Sequence, residues 1–395
     1  MFHAYRSLFS APGTTGFVLA GLLARLPLSM TGIGLITMLS QQRGAYTLAG
    51  AVAACFALSI AVLAPRISGL VDRHGQGKVL PIAAATSASA MFALLACAHW
   101  QGPDWLLLVL AALVGSLPSM PAMVRARWTV IYSGTPQLQT AFALEAVLDD
   151  LCFIVGPPLS VGLSMLLFPE AGPMVAAILL IVGVGVFVMQ RSSEPPVMAQ
   201  GTGHSTSMLR QPVVRTLALF MLAQGIIVGV IDVASVAFAT AQGKPGMASV
   251  VLSFYALGSC AMGLMFGTLR LKMPLHRQIV WVGASVAITA IPLLLASNLW
   301  ALAAAVLLAG ITFGPTITVA MSLVEQQVDK QRLTEGMTWL LTGLAMGVAL
   351  GAAAAGWVID RWGAQTSFAI ALLAGGAMWL WGVQAGQQAR PVGKP

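Results

Sequence analysis

Three carboxylates and three arginines occupy stretches where almost every neighbour is apolar. Glu145, Asp149 and Asp150 lie within six residues of one another in the run LEAVLDDLCFIVGPP. Arg25 stands alone in LLARL, and Arg125 and Arg127 share VRARW. A charged side chain at the centre of an apolar helix costs about 2.5–3.5 kcal/mol on insertion scales, so such groups face a partner or a water-filled path. Their chemistry is proton exchange: burial favours the protonated acid and a nearby guanidinium favours the carboxylate, so a small movement can load or release a proton. On a helix, Glu145 and Asp149 share a face, and Asp150 is turned about 100° from Asp149. Asp149 is the first candidate for proton carrier, followed by Glu145 and Asp150, with Arg25 as a coupling partner. Arg127 with Glu145, and Arg25 with Asp149, are the pairs expected from depth; Arg125 is a further charge partner. The competing reading is that these pairs only brace the helices.

The elements that must position these charges are membrane spans. Of the 395 residues, 58% are hydrophobic and 8% charged, whereas soluble domains carry about 25% charged residues. That composition excludes a soluble enzyme, a disordered chain and a fibrous repeat. Runs of roughly 20 apolar residues are long enough to span. They fall near 14–39, 46–67, 79–98, 105–131, 139–168, 172–190, 214–240, 247–269, 278–296, 300–323, 334–358 and 366–385. The expected fold is therefore all-α and integral to the membrane, with 12 transmembrane helices. The first run is read as a retained helix, because no small-residue cleavage site follows it.

With both termini on one side, only Arg43, Lys244 and Arg361 fall on the other side, and Arg25 lies within a span. That bias assigns both termini to the cytoplasm. It also accounts for the net charge of +8 without a nucleic-acid partner. The polar stretch from Gln190 to Gln211, rich in Pro, Gly and Ser, is a linker. It separates an N-terminal six-helix bundle (1–190) from a C-terminal one (213–395), the linker itself being 191–212. The halves look duplicated. Gly115 and Pro121 correspond to Gly310 and Pro315, Gly162 to Gly356, and Arg25 in LLAR to Gln224 in MLAQ.

Between the second and third runs stands Pro65-Arg66-Ile67-Ser68-Gly69-Leu70-Val71-Asp72-Arg73-His74-Gly75. It resembles the cytoplasmic loop signature of the major facilitator superfamily, P-x-x-G-x-L-A-D-R-x-G. Pro65, Leu70, Asp72, Arg73 and Gly75 fit; Ser68 replaces a glycine, and Gln76 and Gly77 precede Lys78 where a basic pair is usual. The resemblance implies two pseudo-symmetric six-helix bundles that alternate access to a central cavity. It also implies a cytoplasmic latch at Asp72, Arg73 and Gly75. In the fifth span, Gly156 and Pro157 resemble the glycine-proline motif of the drug/proton antiporter-type exporters of that family. Cys152 stands for its first glycine, and Ser160 and Val161 for its last pair. Cys152, Gly156 and Ser160 in any case form a small-residue stripe suited to close helix packing, with Gly156 and Pro157 as candidate gating residues. The fold also implies a cavity lined by Met30, Met120, Met123, Gln224, Asp232, Tyr255, Met321 and Trp339. Methionine suits varied apolar ligands, and equally suits plain core packing. The sequence Gly356–Gly363 repeats the Asp-Arg-x-Gly theme and reads best as a helix stop with a tryptophan anchor.

The phosphate-binding pattern GxxxxGK[ST] is missing, since Asp72 stands where its first glycine belongs and Val79 follows Lys78. No histidine lies deep in a span, and the four cysteines (Cys55, Cys97, Cys152, Cys260) lie in apolar stretches. No cofactor, metal or enzymatic activity is therefore expected. The reading is a proton-coupled secondary transporter in the bacterial inner membrane, monomeric, exporting a small amphipathic or cationic compound. Uptake of a sugar or organic acid is the alternative within transport; a membrane sensor or scaffold is the alternative outside it.

Overall fold

Lipid offers no hydrogen bonds, so each apolar run must satisfy its backbone internally, and the runs become helices. The computed structural model describes residues 2–43, 46–197, 207–244, 247–269 and 273–389. The helices, in order, are α1 (Phe2–Leu8), α2 (Thr14–Arg43), α3 (Tyr46–His74), α4 (Gln76–His99), α5 (Asp104–Val114), α6 (Met120–Tyr132) and α7 (Pro136–Leu166). They continue with α8 (Ala171–Met189), α9 (Pro212–Ala241), α10 (Met247–Phe266), α11 (Leu275–Leu295), α12 (Leu299–Gln327), α13 (Leu333–Trp362) and α14 (Ala364–Gln388). Among the described residues, ten of these are long and apolar enough to cross a membrane. The 20-residue α10 and the α5–α6 pair account for the other two expected runs. The basic residues Arg270, Lys272, Arg390 and Lys394, used above for orientation, lie outside the described residues, as do residues 198–206 of the linker.

The fourth run differs from expectation. A continuous helix over 105–131 was the sequence reading, but the chain breaks between Val114 and Met120. Pro118 has no amide hydrogen, and it disfavours a helical conformation at Leu117. The carbonyl that its amide would have bonded, that of Val114, accepts instead from Ser87 Oγ of α4 at 2.7 Å. Pro121 then sits in the first turn of α6, where a missing amide costs nothing.

Two compact units emerge. One holds Arg6–Ser133 and Leu148–Gly203; the other holds Met1–Tyr5, Gly134–Val147 and His204–Pro395. In the first, α2 packs on α8, α4 on α8, and α3 on α5; in the second, α9 packs on α14, α11 on α14, and α10 on α12. Those pairings repeat with a shift of six spans. Matched glycines make matched contacts: a Cβ on Gly115 would press on Phe56 O and Ile60 N, each 3.1 Å away in α3, and one on Gly310 on Tyr255 in α10 at 3.0 Å. Gly162 and Gly356 both face open space. The duplication is imperfect, since α12 carries Pro315 without breaking.

Residues 134–147, which chain order places among the first six spans, cluster with the C-terminal helices. There Thr140 Oγ1 donates to Gly267 O at 2.5 Å, and Tyr5 Oη donates to Leu264 O at 2.6 Å. Two hydroxyls thus serve carbonyls at the end of α10 that its own turns leave unmatched.

Candidate functional site

Arg25 on α2, Arg125 on α6 and Asp149 on α7 converge within one unit. Arg25 Nη1 lies 2.8 Å from Asp149 Oδ1, and Arg125 Nη2 lies 2.7 Å from Asp149 Oδ2. One carboxylate is shared by two guanidinium groups, each oxygen taking one charge-assisted bond. The arginine side chains are 1% and 0% exposed, and that of Asp149 is 15% exposed. The formal charges of these three groups sum to +1. Arg25 is steadied by a bond from its Nε to Gly21 O at 3.3 Å. Gly21 is also where α2 meets Val124 of α6, with no room for a Cβ. Arg125 Nε and Nη1 are buried and have no hydrogen-bond partner.

Arg127 belongs to a different constellation. Residues two apart on a helix point to nearly opposite sides, so α6 offers Arg125 to Asp149 and Arg127 elsewhere. Arg127 Nε donates to Gln76 Oε1 at 2.8 Å, and its Nη1 donates to Gln190 O at 2.7 Å and Ser193 Oγ at 2.9 Å. The guanidinium lies 3.8 Å from the centre of the Phe187 ring. The pairing with Glu145 expected from depth is replaced by these neutral acceptors. Glu145 itself is fully buried, and Asp150 is half-buried. None of Gln76, Phe187, Gln190 and Ser193 stood out in the sequence. The one available signal was the need of a buried arginine for acceptors on neighbouring segments.

The same cluster borders the Asp-Arg-x-Gly loop. Gly75 has φ +91°, a conformation that favours glycine, and it ends α3 and starts α4 in a single residue. Gly77 N donates to Glu194 Oε1 at 2.6 Å, so a carboxylate from the start of the linker sits at the N-terminus of α4. Gly363 repeats this geometry between α13 and α14 with φ +84°. Beside it Arg361 lies 4.1 Å from the centre of the Trp357 ring, which packs edge-on against Trp362.

The small stripe of α7 fixes Asp149 laterally. Gly156 lets Ser29 of α2 approach where a Cβ would collide, and Ser29 Oγ lies 2.8 Å from Cys152 O. Ser160 packs in the same way on Gly34 and Gly172. At the other end of this unit, Glu170 accepts from Gln42 Nε2 and pairs with His99 Nδ1 at 2.9 Å. Burial alone would push the Glu170 carboxyl up, but the bonds from His99, its own backbone and Gln42 hold it below its ordinary value.

The expected cavity residues divide by exposure. Met30, Met120, Met123, Met321 and Gln224 are buried among helices, with 0–1% exposure. Tyr255 and Trp339 are half-buried, Tyr255 against Phe313 with ring centres 5.8 Å apart. Asp232 is exposed on α9.

The sequence matches the family model described as Major Facilitator Superfamily over residues 17–296 and 217–394. No curated protein shows a significant match. Among solved structures, the human organic anion transporter MFSD10 (TETRAN) superposes with a TM-score of 0.73 at 15% identity, covering 95% of this chain and 100% of that one. A bacterial homologue of the iron transporter ferroportin, in an outward-facing state, gives 0.76 at 13%, covering 95% and 100%. The E. coli fucose:proton symporter gives 0.69 at 13%, covering 94% and 99%.

Proposed function

The chain belongs to the Major Facilitator Superfamily and is a multi-pass secondary transporter, and we propose that it couples proton movement through Asp149 to export of a small amphipathic or cationic compound. The observation that carries this reading is the carboxylate shared by Arg25 and Arg125 inside the spans. With both guanidinium groups in place the carboxylate is matched by opposite charge. If alternating access draws them away, a buried carboxylate avoids its desolvation cost by binding a proton. The proton then leaves when the arginines return. Substrate and proton compete in this scheme for one arrangement of α2, α6 and α7, and that competition is what exchange requires.

Export, rather than uptake, rests on the resemblance of Gly156 and Pro157 to the exporter motif and on the tight α2–α7 contact built there. The charge bias of the loops supports residence in a bacterial inner membrane with both termini in the cytoplasm. A second reading, uptake of an organic acid with the proton, would use the same trio. The first six spans and the last six are the two moving bodies in either case, with Asp72, Arg73 and Gly75 as the latch between open and closed arrangements.

Reconstitution into liposomes separates these readings. With an acidic lumen, an exchanger drives an amphipathic cation such as ethidium inward as protons leave, whereas a symporter carries benzoate outward. Asp149→Asn, confirmed folded by its melting profile, should abolish gradient-driven flux. Unchanged flux in Asp149→Asn, Glu145→Gln and Asp150→Asn would end the proposal.

A further inference from the structure

The short helix before the first span is held at both ends. Tyr5 Oη of α1 donates to Leu264 O near the end of α10 at 2.6 Å. Just after it, Ser7 O and Leu8 O accept from Tyr132 Oη at the end of α6, at 3.3 and 2.9 Å. Leu8 is fully buried. Phe9 meets Trp128 edge-on with ring centres 6.3 Å apart, and Trp128 stacks on Tyr132 at 5.8 Å. The division of the chain into compact units runs between these two anchors. Residues up to Tyr5 fall in the unit that holds α9–α14, and those from Arg6 to Ser133 in the other.

The end of α10 calls for an outside donor. Its last turn tightens, with Thr268 N donating to Met265 O and Leu269 N to Phe266 O, each at 3.1 Å. Leu264 O thereby loses the amide four residues on that an α-helix would supply, and the Tyr5 hydroxyl takes its place. Gly267 leaves no room for a Cβ beside that hydroxyl. Burial pushes the Tyr5 phenol up to about 12, so ordinary changes of pH leave the donor in place and a movement is needed to withdraw it.

The two anchors differ in strength. The Tyr5 end rests on one neutral hydrogen bond. The other end has the Tyr132 hydroxyl, an aromatic contact and a buried leucine, and burying a leucine outweighs one neutral hydrogen bond. We propose that α1 is a strap between the two units, which lets go at Tyr5 when one unit shifts and stays docked on α6. While fastened, it holds the end of α10 as seen here; once released, it gives the Leu264 carbonyl up to water. This uses neither proton transfer at Asp149 nor a direction of transport, so it is tested separately from the proposed coupling.

The test is amide hydrogen exchange of the full-length protein in nanodiscs, read by mass spectrometry at 6–10 and 264–269. Each variant is first checked for a wild-type elution profile in gel filtration. Tyr5→Phe should speed exchange at 264–269 by about two- to tenfold, the range of one lost hydrogen bond, and leave 6–10 within about twofold. Tyr132→Phe touches α6 and α1 alone, yet it should speed exchange at 264–269 as well as at 6–10, because a strap loosened at one end pulls less at the other. The double variant should then exchange at 264–269 no faster than Tyr5→Phe, since a strap already released cannot be released again. An effect of Tyr132→Phe confined to 6–10 would reduce Tyr5 to a local cap and overturn the proposal, as would unchanged exchange at 264–269 in Tyr5→Phe.

Discussion

Replacing Asp149 should cost far more stability than replacing Arg125, although the two residues share one bond. Asp149 accepts from Arg25 at 2.8 Å and from Arg125 at 2.7 Å, and both arginine side chains are all but inaccessible. Asp149→Asn raises the charge of the trio from +1 to +2. Removing one partner of a buried ion pair costs about 3–5 kcal/mol. The asparagine carbonyl keeps one acceptor, so about 2–4 kcal/mol is expected. Arg125→Gln instead leaves a neutral Arg25–Asp149 pair. It also deletes Arg125 Nε and Nη1, buried donors without partners, and each such orphan costs about 1–3 kcal/mol on its own. The losses and gains nearly offset, and the net cost should be about 0–2 kcal/mol. Combining the two substitutions returns the trio to +1, so the double variant should lose less than the sum, by about 1–3 kcal/mol. Reversible unfolding in mixed micelles measures all three. Equal costs for the two single variants, or additivity within about 0.5 kcal/mol, would refute the charge argument.

Other outcomes follow from packing and titration. Gly156→Val forces two methyl groups into the space of Ser29 and should cost about 1–3 kcal/mol or more, whereas Gly162→Ala, facing open space, should stay within about 0.5 kcal/mol; melting temperatures of the two variants compare them directly. Ser87→Ala leaves the Val114 carbonyl at the helix break without its donor and should lower stability by about 1–3 kcal/mol, with faster amide exchange at 115–119. Because the Glu170 carboxyl is depressed on folding, its contribution is present above its ordinary value near 4.5 and fades as pH falls through the folded value. His99 is largely exposed, so the effect should be below about 1 kcal/mol, and Glu170→Gln should flatten the acid limb of a stability–pH curve. Burial pushes the Tyr5 phenol up to about 12; its share of stability is whole below about pH 10 and is lost toward 12, and an absorbance titration should show a late tyrosine that Tyr5→Phe removes.

The twelve runs were legible because lipid allows a long apolar segment few alternatives, and matched residues such as Gly115 with Gly310 suggested the duplication. Turn glycines were legible for a similar reason: Gly75 and Gly363 stand where one residue must end one helix and begin another. Depth along the spans also brought Arg25 and Asp149 together. What depth could not give was rotation. Similar depth suggested Arg127 as a partner of Glu145, and depth does not fix which side of a helix a residue faces. The break at Pro118 resets the phase of α6, so Arg125 meets Asp149 and Arg127 turns to Gln76, Gln190 and Ser193. Those acceptors come from a helix start and a loop with no charge to advertise them. Nor does a run of hydropathy reveal which methionines are interior, since Met30 and Met123 read like any lipid-facing residue and are fully buried.

The two arginines of α6 differ in a way that bears on which of them can move. Arg127 is met by an amide oxygen, a backbone carbonyl, a hydroxyl and an aromatic face. These four do not change charge at ordinary pH, although the Glu194 carboxylate also acts on Arg127 by its charge. Arg125 has a single partner, and that partner is a carboxylate. In the proposed coupling, protonating Asp149 removes the opposite charge and leaves Arg125 only a neutral carboxyl oxygen, while Arg127 stays bonded to α4 and to residues 190–193. Arg127 and its acceptors hold one face of α6, and the Arg125–Asp149 ion pair lies two residues away on the opposite face. Under the proposed coupling, loss of that ion pair would release one side of α6, a short helix separated from α5 by a break, while the other side stays held.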